Sequence, residues 1–535
     1  MSNTQIKADI TPSEHRDFVF PETTPELLSR TNNCGICFSG GGTRSMAATM
    51  GQLRALHKLG LLAKARYISS VSGGSWAAAI YTYYKNESIN DTELLGDSPN
   101  YVERNNWGKD EWAKSLKEHN LAKPATTDFL EVFTNYAIHH NTEMAWIYAV
   151  RDVYFKPFGL DQPNYFSLNT QSVNSVLEAN QQLQPNWKSC MFDITRPDRP
   201  YLIVNGIIIW PAKKELFNNH LKVNRALIQF TPLYTGNPWA LRLHENQELE
   251  NVDSINTGGG FLSSYAFGSS GPNQPADDNL KMPIPKEPFS IWHASGISSS
   301  AFAYFVANGA LSKTALENFV PQMDYWAVTD SNESQQTSQK HYFGDGGALD
   351  NNGLMAMLQR RVEKIVVFVN SSTPISKNKN KNKIIIDADI APLFGIESEE
   401  NLPNNTVFDA SVYDDLVNGL WAAYKKNGLC MHRQEYITLE NEWFGTPAYK
   451  LEILWVYNSP VEKWIQLLST DMQHEIRKGI ESSEGDLKHF PNYKTISEEF
   501  LKLVKLKDIQ VACIADMFAW SIEDNADVFT ALLGK

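Results

Sequence analysis

Two neighbouring segments repeat one local pattern, and that repeat constrains the fold more than anything else in the chain. "CGICF" (34–38), a strand-like run, leads into three glycines and then a helical pattern in "TRSMAATMGQLRALHKLG" (43–60). Met46, Met50, Leu53 and Leu56 recur there at helical spacing, and Gly60 is a natural stop. "RYISSV" (66–71), β-branched and aromatic, then runs straight into "SGGSWAAAIYTYYK", a second helical pattern. Strand, glycine turn, helix, strand, tight turn, helix is a βαβ unit, and such crossovers join parallel strands. Both turns therefore fall at the carboxyl ends of adjacent strands, where open α/β sheets place their sites.

The second turn reads Ser69-Ser70-Val71-Ser72-Gly73-Gly74-Ser75. A serine between strand and helix, followed by glycines, has the setting of a nucleophile elbow, in which a sharp turn exposes the hydroxyl and small neighbours allow close backbone approach. Ser72 is the candidate nucleophile. Ser70 stands where G-x-S-x-G has its first glycine, and the plain alternative is a Ser/Gly turn capping a helix. The first turn, "FSGGGTRSM" (38–46), supplies what acyl transfer at a serine needs: backbone N–H groups at a helix N-terminus, with Gly41 and Gly42 as candidate oxyanion donors. It fits neither G-x-G-x-x-G nor G-x-x-x-x-G-K-[ST], the two phosphate-loop patterns. Arg44 in the first helical turn is electrostatically out of place unless an anion is expected beside it.

A base is also required. "GDGG" (344–347) puts Asp345 at another strand end, with glycines that let a carboxylate enter a crowded site, and Asp350 is a local rival better suited to capping the next helix. An ordinary aspartate is a weak base at neutral pH, so burial beside the serine has to raise its pKa. His57, His293 and His341 are the alternatives for a histidine-containing triad.

These three motifs, in this order, resemble the patatin-like and cytosolic (group IV) phospholipase A2 / lysophospholipase family, the cytosolic branch most closely. "RPYLIVNG" (199–206), "FTPLYTG" (230–236) and "SGISSSAFAYF" (295–305) look similar as well, so the resemblance spans about residues 34–375. It implies an α/β three-layer fold with a mostly parallel central sheet, a helical cap insertion and a mixed C-terminal extension. It also implies Ser72 as nucleophile, Asp345 as base in a Ser-Asp dyad, Gly41 and Gly42 as the oxyanion hole, and Arg44 as the cation for a lipid phosphate. The substrate it implies is a phospholipid or lysophospholipid at a membrane surface or micelle, cleaved without metal or cofactor. The sequence departs from the pattern at Ser70, and "FTPLYTG" lacks the acidic residue found near its middle in relatives. With about thirty residues before the glycine turn, a calcium-binding β-sandwich and calcium-dependent recruitment are not expected. An acyltransferase using the same acyl-serine, and an inert lipid- or protein-binding member, are the alternatives.

The organisation that follows is a polar leader (1–30), a catalytic core (31–375) carrying a helical cap at 86–195, and an α/β portion (376–535) packed on the same core. Trp107, Trp112 and Trp146 in the cap suit either a lid or acyl groove or ordinary cap core. "SKNKNKNK" (376–383) reads as a solvated cationic loop that anionic lipid heads would attract. Of the five cysteines, Cys34 and Cys37 have C-x-x-C spacing, but on a strand they face opposite ways, so buried thiols are expected rather than a metal or redox pair.

Composition limits the partners. The 535 residues are 42% hydrophobic and 20% charged, with mean hydropathy −0.36 and formal charge −13, which suits a large globular core and argues against general nucleic-acid binding. No apolar run reaches the roughly 18 residues of a membrane span. No secretory signal is visible, so cytoplasmic residence with peripheral membrane contact is the default, and signal-less export leaves no mark.

Overall fold

A computed structural model describes residues 5–13, 19–140, 143–210, 224–238, 259–272, 279–301, 320–328, 338–378, 383–396, 405–441, 444–495 and 503–534. Its frame is a 13-stranded sheet. In chain order the strands are β1 (Gln5–Pro12), β2 (Asn32–Phe38), β3 (Ala65–Val71), β4 (Tyr201–Trp210), β5 (Asn224–Phe230), β6 (Tyr234–Asn237), β7 (Gly260–Ser263), β8 (Asn279–Pro283), β9 (Gln322–Tyr325), β10 (Gln339–Asp345), β11 (Lys364–Val369), β12 (Met431–Ile437) and β13 (Lys450–Tyr457). The order across the sheet is β8-β1-β7-β6-β5-β4-β3-β2-β11-β13-β12, with β10 branching from β4 and pairing β9.

The parallel part is β4-β3-β2-β11-β13, and β5, β6, β7, β1 and β8 continue it antiparallel in that order. "CGICF" and "KIVVFV" are near-continuous apolar runs because parallel strands are covered on both faces. After the short α1 (Pro25–Arg30), α2 (Gly42–Lys58) and α3 (Gly73–Tyr83), the two helices of the tandem βαβ unit, lie together on one face. Cys34 and Cys37 are fully buried on opposite faces of β2, and burial pushes the Cys34 thiol up to about 11.

The leader belongs to the sheet. Residues 5–12 alternate, with Ile6 and Ala8 buried and Lys7 and Asp9 exposed, the period of a half-buried strand. Past it, Glu22 is fully buried in an ion pair with Arg360 at 2.7 Å, over which Phe20 stacks. The cap region is a set of short helices with one parallel strand pair, Tyr165–Ser167 with Phe192–Ile194. Trp112 and Trp146 are buried in it, and Trp107 packs edge-on against Trp112, so these rings are cap core.

The C-terminal stretch extends the same sheet through β13 and β12. Among its helices, Asp508–Asp524 lies along α2 so closely that a Cβ on Gly51 would sit 2.0 Å from the Ala515 carbonyl oxygen. Part of the lysine-asparagine tract forms a short exposed hairpin, Ser376–Asn378 with Lys383–Ile385, and residues 379–382 lie outside the described residues.

Candidate active site

The register of β4 brings the site together. Its first half pairs β3 in parallel, ending with Val71 opposite Asn205, while its second half pairs β10 antiparallel, ending with Asp345 opposite Gly206. Thus β3 and β10 run toward each other along one side of β4 and stop at consecutive residues of it. Ser72 is the first residue beyond β3 and Asp345 the last of β10, so two positions 273 apart in sequence meet at one seam.

At that seam Ser72 has φ 51 and ψ −126, a conformation that L-residues rarely adopt and that clusters at functional turns. The residue is buried, 8% exposed, and its hydroxyl is a neighbour that favours the ionised form of the Asp345 carboxylate. The Gly347 N–H donates to Asp345 Oδ1 at 2.8 Å. Burial raises the Asp345 pKa to about 6 against the pull of the Gly347 N–H and the Ser72 hydroxyl, which favour the ionised form. A carboxylate with that value can accept a proton near neutrality.

The glycine turn lies directly against the elbow. A Cβ on Gly73 would be 2.0 Å from the Gly42 carbonyl oxygen, and one on Gly74 would be 2.7 Å from those of Phe38 and Ser39, so neither position has room for a side chain. Gly41 is the N-cap of α2 and Gly42 its first residue, both at positive φ (135 and 54). N–H groups at these positions have no intrahelical acceptor and carry the positive end of the helix dipole. Ser70, in the place of the expected elbow glycine, is fully buried within β3, its hydroxyl 3.4 Å from the Ile203 carbonyl oxygen.

Residues 36–358, which contain the elbow, the glycine turn and Asp345, match the patatin-like phospholipase family. The chain belongs to that family. A 58-residue stretch of the chain is 47% identical to cytosolic phospholipase A2 zeta of Mus musculus and 43% identical to that of Homo sapiens. The stretch is 11% of the chain and 6% and 7% of those proteins. Among solved structures, human GIVD cytosolic phospholipase A2 is similar with a TM-score of 0.45 and 15% identity, covering 96% of this chain and 61% of that one. The human enzyme in complex with methyl gamma-linolenyl fluorophosphonate gives 0.39, 14%, 96% and 60%. The chain therefore spans less than two thirds of these relatives' length.

The other candidate bases are engaged elsewhere. Asp350, which burial also raises to about 6, accepts from the Met355 N–H at 2.7 Å and the Asn352 N–H at 3.2 Å and so caps the next helix. His57 sits fifteen residues along α2, roughly 22 Å from the glycine turn at 1.5 Å per residue, with Asp91 at 3.8 Å. His293 accepts from the Ser290 N–H at 3.0 Å and stacks on Trp292, and burial holds its pKa down. His341 is four residues before Asp345 on β10, about 13 Å away along the strand, with Nδ1 3.1 Å from the Ile209 carbonyl oxygen.

Arg44 is held by the protein's own backbone. It is 5% exposed: Nε donates to the Asn370 carbonyl oxygen at 2.8 Å, and Nη1 to that of Tyr493 at 2.5 Å. The reason is the C-terminal segment, which lies over the start of α2. Thr495 Oγ1 donates to the Gly41 carbonyl oxygen at 3.1 Å, and Thr43 Oγ1 to that of Val504 at 2.8 Å. Burial lowers the Arg44 pKa to about 10, which leaves it charged. Beside Gly40, Arg44 lines a polar cavity of about 220 Å³ together with Asn351, Asn370, Asp387 and Asp389. Sequence reasoning assigned no part to Asn351, Ser298 or the 493–504 segment; "SGISSS" was visible as a small-residue run, but nothing local shows what its hydroxyls meet.

Proposed function

We propose that this protein is a serine acyl hydrolase that cleaves fatty-acyl esters of phospholipids or lysophospholipids through a Ser72–Asp345 dyad. The observation that supports the reading is the seam at which β3 ends on the Ser72 elbow and β10 ends on Asp345 at consecutive residues of β4, beside a glycine turn packed on the elbow.

In the reaction, Asp345 takes the hydroxyl proton as Ser72 Oγ bonds to the ester carbonyl carbon. The Gly41 and Gly42 N–H groups face the developing oxyanion, where charge forms only on the way to the transition state. The ester C–O bond breaks, and the proton held by Asp345 passes to the leaving alcohol. Water then gives a proton to Asp345 as its oxygen bonds to the acyl carbon, the bond to Ser72 Oγ breaks, and Asp345 returns the proton to Oγ, releasing the fatty acid and free Ser72. Arg44 supplies positive charge for the substrate phosphate in the adjoining cavity. The substrate is met at a lipid surface; among the described residues no helix is long and apolar enough to cross a membrane.

The test is hydrolysis of phospholipids, lysophospholipids and neutral glycerides by the wild type, Ser72→Ala and Asp345→Asn, with fluorophosphonate labelling of Ser72. Both variants should lose fatty-acid release, and Ser72→Ala should lose labelling. A folded Ser72→Ala that still hydrolyses lipid overturns the reading.

A further inference from the structure

The seam between β3 and β10 leaves one backbone donor stranded. β3 ends its ladder at Val71, and the next residues of β4 are paired to β10 instead, so the Ser72 N–H has no carbonyl facing it in the sheet. A buried N–H without an acceptor costs free energy comparable to a lost hydrogen bond, and here it belongs to the residue with the strained φ. The acceptor comes from outside the sheet. α4 (Ile291–Ser298), the helix beside β4, ends on Ser298, which is fully buried. Ser298 Oγ accepts the Ser72 N–H at 3.0 Å and donates its own proton to the Asn205 carbonyl oxygen at 2.6 Å.

Two residues on, the Ser300 carbonyl oxygen accepts the Asp345 N–H at 3.1 Å. The same short stretch therefore grips both ends of the seam: the nucleophile through a side chain and the base through a carbonyl. We infer that Ser298 is a positioning residue, whose hydroxyl bridges the Ser72 amide to β4 and so fixes the nucleophile against Asp345. This rests on the dyad proposed above.

The geometry explains why a hydroxyl is needed there. The site must accept from an N–H and donate to a C=O at once, which serine does and alanine, valine or cysteine at normal hydrogen-bond lengths does not. Alanine at 298 leaves the Ser72 N–H and the Asn205 C=O unpaired, and the elbow relaxes away from the position that presents Oγ to Asp345. Small misplacements at a reacting centre cost on the order of 100-fold in rate.

The experiment compares Ser298→Ala with Ser295→Ala, a control at another fully buried serine of the same helix. Thermal melting checks that each is folded at the assay temperature. Ser298→Ala should lower kcat by about 10–100-fold with KM nearly unchanged, and slow fluorophosphonate labelling in parallel, while Ser295→Ala stays near wild type. The pair Ser298→Thr and Ser298→Val, alike in shape but differing in the hydroxyl, keeps the test decisive where alanine fails to fold: threonine should be the more active by a similar factor. Equal kcat in Ser298→Ala and Ser295→Ala, a loss confined to KM, or equal activity of the threonine and valine variants overturns the inference. An active Ser72→Ala would instead overturn the dyad itself.

Discussion

Asp345→Asn should make the protein more stable at neutral pH while removing its activity. The Asp345 carboxyl is raised from 3.8 to about 6 by burial, so the folded chain holds that proton more tightly than the unfolded chain does. The sign follows: between pH 4 and 6 the folded state binds more protons, so this group's contribution to stability falls as pH rises and the full penalty stands above pH 6. A displacement of about two units corresponds to about 1–3 kcal/mol. Asparagine keeps the shape and an oxygen for the Gly347 N–H, and it does not ionise. Denaturant unfolding of both proteins at pH 7 and pH 4 should show Asp345→Asn ahead by about 1–3 kcal/mol at pH 7 and level at pH 4. Asp350 titrates in the same range in both proteins, so the difference isolates Asp345. The kinetic counterpart is an acid limb near pH 6: with about 90% of the carboxyl ionised at pH 7 and about 10% at pH 5, kcat/KM falls about ninefold between them. An ordinary carboxyl would lose only a few per cent over that interval. An acid limb near pH 4, or an Asp345→Asn protein less stable than wild type at pH 7, refutes the argument that this carboxylate is held in a desolvating site.

Gly73→Ala forces a Cβ to 2.0 Å from the Gly42 carbonyl oxygen, so either turn has to move; fatty-acid release should fall to background and stability by about 1–3 kcal/mol, measured by denaturant unfolding. Arg44→Ala should reduce phospholipid hydrolysis about 10-fold more than hydrolysis of a small uncharged ester. Equal losses on the two substrates would leave Arg44 only the bracing of Asn370 and Tyr493. Arg104→Ala strips Asp516 of a two-pronged ion pair at 2.8 and 2.9 Å and leaves that buried carboxylate the Trp464 N–H and the charge of Arg54, which should cost about 3–5 kcal/mol with kcat unchanged below the melting range.

The parts of this site that were legible in the sequence are those built by neighbours along the chain. A strand, a glycine turn and a helix carry their instructions within about twenty residues, so β2 to α3, the elbow serine and the helix-terminal glycines followed from spacing alone. Asp345 was legible as a type of residue at a strand end and was paired with Ser72 only through the family resemblance, because the meeting of β3 and β10 is decided by which residues of β4 each pairs. The period-2 pattern of "QIKADITP" was present in the leader and was outweighed by its polarity, although half-buried edge strands are expected to be polar on one face.

Arg44 shows a different limit. A cation in the first turn of a helix did call for an electronegative partner, and that inference was sound as electrostatics. What it left open was whether the partner is a ligand or the protein's own backbone. Here the Asn370 and Tyr493 carbonyl oxygens, 326 and 449 positions away, take two edges of the guanidinium. The same bonds tie the glycine turn to the β11 end and to the C-terminal segment, so the charge nearest the proposed oxyanion is fixed before substrate arrives. A fixed, buried charge needs little reorganisation when negative charge develops beside it, whereas an exposed side chain would have to be ordered by each substrate. For the proposed reaction, burial of Arg44 therefore supplies a charge that is already in place.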